Sequence, residues 1–212
     1  MRLFAAVIPP TACLDHLATA LGMLGADLRP AWLPRDNWHL TTAFYGEVPD
    51  GLAAALAQDW PQRGRDLVPF EAALAGAGMF AHRTAWIGAQ VDDAAWRRLT
   101  RALAPSVLGL DDREHQERNR PHLTIARAGA APRNAPRGRP SPTGADGVAA
   151  AVAALAVYRG PSWTVTEVGL FASALGRGEG GHPRYTRLAT AHFGNDSSDS
   201  QPVARDARAA RG

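Results

Sequence analysis

Two short segments of this 212-residue chain carry proton-transfer side chains at the same spacing: His39-Leu40-Thr41 and His122-Leu123-Thr124. In an extended strand, residues i and i+2 point to one side. Each His therefore shares a face with its Thr, and the Leu between them turns the other way. If both faces meet across one cleft, two imidazoles and two hydroxyls converge. That set suits phosphodiester cleavage. A neutral imidazole takes a proton from an attacking water, and an imidazolium gives one to the departing ribose oxygen. His is the side chain whose ordinary pKa makes both forms accessible near neutrality. The Thr hydroxyls donate to the non-bridging oxygens, where charge builds in the transition state. A strained cyclic phosphate opens this way without a metal, and the sequence shows no carboxylate cluster arranged for a metal pair. No cofactor is expected. From the residues alone, either His can be the acid.

Residue patterns predict the elements that must position these groups. RLFAAVI (2–8) reads as a buried strand ended by Pro9-Pro10. Residues 11–24 have helical spacing, with Leu14, Leu17, Leu21 and Leu24 on one side and Thr11 as cap. WHLTTAFY (38–45) reads as a strand stopped by Gly46, and 51–60 as a helix. Residues 68–75 and 84–91 read as strands joined by a turn, and 92–108 as a helix capped by Asp92 or Asp93. PHLTIAR (121–127) is a further strand. Residues 129–147, rich in Pro, Gly and Arg, read as a loop, and 148–157 as a helix. Segments 164–173 and 184–193 read as strands around a Gly-rich turn, and the polar stretch 194–212 as a disordered tail after a single domain, 1–193. Helices mixed with hairpin-like strand pairs indicate an α+β fold with antiparallel sheet. The strand–helix–HLTTAF order of the first half is echoed by strand–helix–HLTIAR in the second.

Bulk composition narrows the setting. Hydrophobic residues make up 46% of the chain, as in an ordinary globular protein, and no apolar run reaches membrane-span length. The start lacks the apolar core and cleavage site of a signal peptide. All 23 basic residues are Arg, so an anion site here uses guanidinium groups, which contact phosphate in bidentate fashion. The one cysteine, Cys13, reads as a small buried hydrophobe, and a lone Cys fits a reducing, cytoplasmic setting. Nothing demands more than a monomer.

HLTTAFYG (39–46) matches the H-x-T-x-x-F-x-G form of the first motif of the two-histidine phosphoesterases, and RPHLTIAR (120–127) resembles the second motif of the bacterial RNA 2',3'-cyclic phosphodiesterases, formerly called 2'-5' RNA ligases. The opening RLFAAVIPP and the segment 169–193 are similar to that group's first strand and closing hairpin. The resemblance runs from about residue 2 to 193. It implies a bilobal fold, two pseudo-symmetric lobes of antiparallel sheet with helices outside and a central cleft. It implies that His39 protonates the leaving 3' oxygen, that His122 activates water, that Thr41 and Thr124 hold the phosphate, and that the product is a 2'-phosphate. The expected partners are RNA 3' ends or small cyclic-phosphate nucleotides. Ligation to a 5'-hydroxyl at the same site and a non-catalytic nucleotide-binding module are the alternatives.

Further residues are candidates for substrate contact. Strand alternation puts Arg127 on the face opposite His122 unless the strand bends; it binds phosphate or a neighbouring nucleotide, or forms a structural ion pair. Alternation likewise sends Phe44 to the core, with base stacking as the alternative. Arg35 is a candidate for RNA backbone contact, and Trp32 or Trp38 for stacking at the cleft mouth. His82 reads as an exposed turn residue, and His16, His115, His182 and His192 have no partner pattern. Residues 111–120 and the Arg133, Arg137 and Arg139 segment read as solvated loops, the latter with RNA contact as the alternative.

Overall fold

The computed structural model describes residues 1–25, 31–105, 120–128 and 145–194. The expected tail, most of the loop 129–147, His115 and the Arg133, Arg137 and Arg139 segment lie outside the described residues.

Eight strands form one sheet: β1 (Arg2–Val7), β2 (Leu40–Glu47), β3 (Phe70–Phe80), β4 (Thr84–Val91), β5 (His122–Arg127), β6 (Arg159–Val165), β7 (Glu167–Ala174) and β8 (Arg184–His192). Their order is β6-β3-β4-β5-β2-β1-β7-β8. Every neighbouring pair is antiparallel. The fold is α+β, and its lobes are the two four-strand halves of this sheet. The halves meet where β2 runs beside β5, in register at Leu40 and Leu123. Among the described residues four α-helices accompany the sheet: α1 (Thr11–Gly22), α2 (Asp50–Asp59), α3 (Asp93–Ala102) and α4 (Ala145–Ala154).

The core is the sheet face that the motif leucines occupy. Leu3, Ala5, Leu40, Leu74, Ile87, Leu123 and Leu170 are fully buried there. Helix α1 presents Cys13, Leu14, Leu17 and Leu21 to that core at helical spacing. Helix α3 presents Trp96 and Leu99, and its Asp92 cap accepts a 2.7 Å hydrogen bond from the Ala95 amide. Helix α1 starts at Thr11 behind Pro10 with no side-chain cap, so Thr11 is its first residue rather than its cap.

Four stretches differ from the sequence expectation. The helix expected over 92–108 ends at Ala102, with Leu103 as its C-cap. Strand β3 runs on to Phe80 through what reads as a turn. Gly76, at φ 66°, accommodates a register shift, after which pairing with β4 resumes. The turn is confined to 81–83, where Ala81 and His82 adopt left-handed φ. The expected strand 164–173 is two strands, the end of β6 and all of β7. Gly160 and Pro161 hid β6, which tolerates a proline because it is an edge strand. Helix α4 begins at Ala145, inside the expected loop.

Leu123 fills the seam between the halves with no exposed surface. Leu123→Ala is expected to cost about 2–5 kcal/mol, visible in chemical denaturation as a lower midpoint with an unchanged slope.

Candidate active site

The Leu40–Leu123 pairing decides where the chemistry goes. Extending the antiparallel register by one residue each way sets His39 opposite Thr124 and Thr41 opposite His122. With both leucines buried, the two His and two Thr share the opposite face, around a local two-fold axis through the leucine pair.

Both motifs then carry the same irregularity. In β2, Ala43 pairs with Ala5 but Thr41 pairs with Ala6, which leaves Thr42 as an extra residue. In β5, Ala126 pairs with Ala85 but Thr124 pairs with Trp86, which leaves Ile125 as the extra one. Each bulge falls three residues after the His. The bulged residues, Thr42 and Ile125, and the alanines after them are buried. The bulge shifts the alternation by one. It brings the residue five beyond each His back to the His face: Phe44 in the first motif, Arg127 in the second. Both line the cleft, so simple alternation misplaces them, and Phe44 is not a core residue.

The cleft has a volume of about 310 Å³. His39, Thr41, Thr124, Phe44 and Arg127 line it. His122 sits close enough for its charge to bear on His39. The imidazoles are held alike. His39 Nδ1 is 2.8 Å from the Asn37 carbonyl, and His122 Nδ1 is 2.8 Å from the Arg120 carbonyl. A carbonyl only accepts, so Nδ1 carries the proton and donates it. Each Nε2 is thereby the free nitrogen that can give or take a proton.

Their surroundings differ. His39 lies 4.9 Å from the Phe4 ring and meets the Tyr185 ring edge-on at 5.2 Å. His122 meets the Phe80 ring edge-on at 5.0 Å and lies 6.0 Å from Trp86. Burial pushes the His39 pKa down to about 4. The Asn37 carbonyl opposes that shift, and the His122 charge adds to it.

Sequence reasoning missed several cleft residues. Tyr185 and Arg2 line it from the first lobe, as does His182 from the β7–β8 connection. Burial raises the Tyr185 pKa, against the opposing charges of Arg127 and Arg2 and a hydrogen bond with the Asn37 side chain. Asn37 also donates 2.8 Å from Nδ2 to the Pro183 carbonyl, which ties the closing hairpin to the first motif. No local pattern marks residues that meet only through the fold.

Other candidates sit elsewhere. Arg35 binds the Asp15 carboxylate and donates to the Thr11 carbonyl on α1, so the structure does not bring it into the cleft. Trp32 and Trp38 line an apolar depression against α1. His82 is exposed in its turn. Among the described residues, no group of three or more His, Cys, Asp or Glu side chains is placed to hold a metal ion. No described helix is long and apolar enough to cross a membrane.

A curled antiparallel sheet with paired H-x-T motifs across its centre defines a two-histidine phosphoesterase. Residues 9–176 match the 2'-5' RNA ligase superfamily, and the chain belongs to that family. An RNA 2',3'-cyclic phosphodiesterase of Geobacillus stearothermophilus is 36% identical over 100 residues, 45% of this chain and 32% of that protein, so this match spans about a third of the relative's length. A protein of the same name from Methanothermobacter thermautotrophicus is 28% identical over 139 residues, 63% of this chain and 74% of its own. Among solved structures, a Thermus thermophilus protein superposes with TM-score 0.64 at 25% identity, covering 92% of this chain and all of that one. E. coli LigT in complex with phosphate shares the fold at TM-score 0.63 and 24% identity, over 92% of this chain and 98% of its own.

In an NMR titration of the free protein, the His39 ring is expected to stay neutral until the pH falls to about 4. Between the ordinary His pKa of 6.5 and that value, the unfolded chain binds a proton that the folded chain refuses. Stability should therefore fall as the pH drops through this window and level off below it. Inorganic phosphate in the cleft should raise the His39 midpoint by about one unit or more, since a nearby anion favours the imidazolium.

Proposed function

We propose that this protein hydrolyses 2',3'-cyclic phosphate ends of RNA to 2'-phosphates by paired histidine acid–base catalysis. The observation that carries this reading is the symmetric seating of His39 and His122, each with Nδ1 on a backbone carbonyl and each across the β2–β5 seam from the other motif's Thr. The names of the two relatives support the substrate class.

The step is an in-line displacement at phosphorus. A water oxygen attacks on the side away from the 3' oxygen, and His122 Nε2 takes its proton. The bond from phosphorus to the 3' oxygen breaks, and His39 Nε2–H protonates that oxygen. The phosphate stays on the 2' oxygen. Thr41, Thr124 and Arg127 donate hydrogen bonds to the non-bridging oxygens as their charge grows. Phe44 forms an apolar wall beside them.

The low His39 pKa fits the acid role once substrate is bound. The free site keeps His39 neutral, and the incoming anion draws a proton onto it. An imidazolium whose burial disfavours its charge gives the proton up readily as the leaving oxygen develops negative charge. No part of this sequence requires a metal. A cytoplasmic setting, in keeping with the single buried cysteine, and action as a monomer complete the reading.

The test is turnover of an RNA oligonucleotide ending in a 2',3'-cyclic phosphate, in EDTA, with the product isomer identified. Wild type is expected to yield the 2'-phosphate. His39→Ala and His122→Ala should each lose roughly 10²–10⁴-fold in kcat, the usual worth of a positioned acid or base. A folded wild type with no turnover, or one that makes a 3'-phosphate, overturns the reading.

A further inference from the structure

Among the described residues two guanidinium groups line the cleft, and the reaction above uses one. Arg127, on the second motif, serves the reacting phosphate. Arg2 lines the same cavity from β1 but belongs to neither motif. Among the described residues Arg2 makes no ion pair, whereas Arg35, Arg63 and Arg187 each hold a carboxylate. Its guanidinium lies over the Phe44 ring at 4.6 Å, a contact that fixes its plane without neutralising its charge. Among the described residues no carboxylate lines the cavity. The Arg2 end of the cleft is therefore cationic, with a donor fork stacked on the Phe44 ring.

The position of Arg2 specifies which anion it meets. It stands two residues before Phe4 on β1, a step of about 7 Å along a strand. Phe4 packs on His39, and the Arg2 charge reaches Tyr185, which also packs on His39. In the sheet order β5-β2-β1, Arg2 lies beyond β2, the strand that His39 leads into, and on the far side of it from β5, which carries His122. In the proposed reaction His39 faces the leaving 3' oxygen, so the ribose that carries this oxygen occupies the same side. The other phosphate-bearing position of that ribose is its 5' oxygen.

We infer that Arg2 forms a second anion subsite, which binds a phosphate on the 5' oxygen of the ribose whose cyclic phosphate is opened. This rests on the reading of the reaction above. It narrows the substrate class to cyclic ends that continue into a 5' phosphate, as in a chain, over a bare cyclic nucleoside phosphate. Ser173, opposite Arg2 in the sheet register, also lines the cavity and adds a hydroxyl at the same end.

Binding of product-like ligands tests the subsite without relying on turnover. Affinities would be measured by calorimetry at several salt concentrations for adenosine 2'-phosphate, adenosine 2',5'-bisphosphate and the dinucleotide ApA with a terminal 2'-phosphate. Wild type is expected to prefer the two ligands with a 5' phosphate by roughly tenfold, the scale of a charge-assisted hydrogen bond. Arg2→Gln should collapse that preference. For the dinucleotide it should also flatten the slope of log affinity against log salt by about 0.7, the worth of one single-strand phosphate. Arg2→Lys should restore the slope, which separates lost charge from lost folding. A dinucleotide that binds tighter than the bisphosphate assigns the subsite to RNA chains; equal binding assigns it to the 5' phosphate itself.

Equal weakening of all three ligands by Arg2→Gln would overturn the subsite and move Arg2 to the reacting phosphate. No change in any would also overturn it. The cyclic-phosphate assay on the same wild-type protein reads the reaction separately. An inactive protein with the expected binding pattern would refute the reaction and keep the subsite, and an active one without the pattern would do the reverse.

Discussion

The contact between Leu40 and Leu123 is the constraint on which the site depends. Antiparallel register leaves no freedom once one pair is fixed. With these two leucines buried and opposed, the residues on either side must face the other way, and each His must sit across from the other motif's Thr. A slip of one residue along either strand would send that strand's His–Thr pair into the core and its leucine into the cleft. The burial of two apolar side chains thereby sets the placement of four polar ones. Among the described residues, the two halves of the sheet are joined in register at this pair.

The bulges do the second part of the positioning. A regular strand offers alternate residues to a face, so a six-residue motif would give the cleft its first, third and fifth members. The extra residue at Thr42 and Ile125 replaces the fifth by the sixth. The buried neighbours Thr42-Ala43 and Ile125-Ala126 show the cost, two consecutive residues turned to the core. The gain is that a bulky or charged sixth residue stands at each end of the His–Thr block. In the first lobe it is Phe44 and in the second Arg127. One backbone device thus sets an aromatic ring and a guanidinium into the cleft at symmetry-related positions.

What the sequence made legible follows from the range of the forces involved. The H-L-T triplets were readable because strand periodicity is local, and a two-residue period needs no knowledge of the partner. The family motif added Phe44 and Arg127 by position, although alternation argued against both. The bulges were not legible, because Thr-Ala and Ile-Ala carry no turn or glycine marker; the shift exists only relative to β1 and β4. Strand β6 was lost to Gly160 and Pro161, whose propensities are overridden at a sheet edge. Tyr185, Asn37 and Arg2 lie far apart in the chain and come together only when β1, β2 and β8 have packed. A guanidinium on the first strand has no sequence feature to distinguish it from the other 22 arginines.

The symmetry of the scaffold also explains why its departures matter. Two identical imidazoles in identical settings would share one protonation state, and an acid–base pair needs two. The backbone treats them alike, with the same carbonyl at the same distance. The difference comes from the side chains of the outer strands. Phe4 and Tyr185 close over His39 from β1 and β8, and burial there drives its pKa down to about 4. His122 is flanked by Phe80, itself 47% exposed at the tip of β3, so the second imidazole faces a more open edge. The asymmetry between the two imidazoles is in this way written into the packing of β1 and β8 rather than into the motifs.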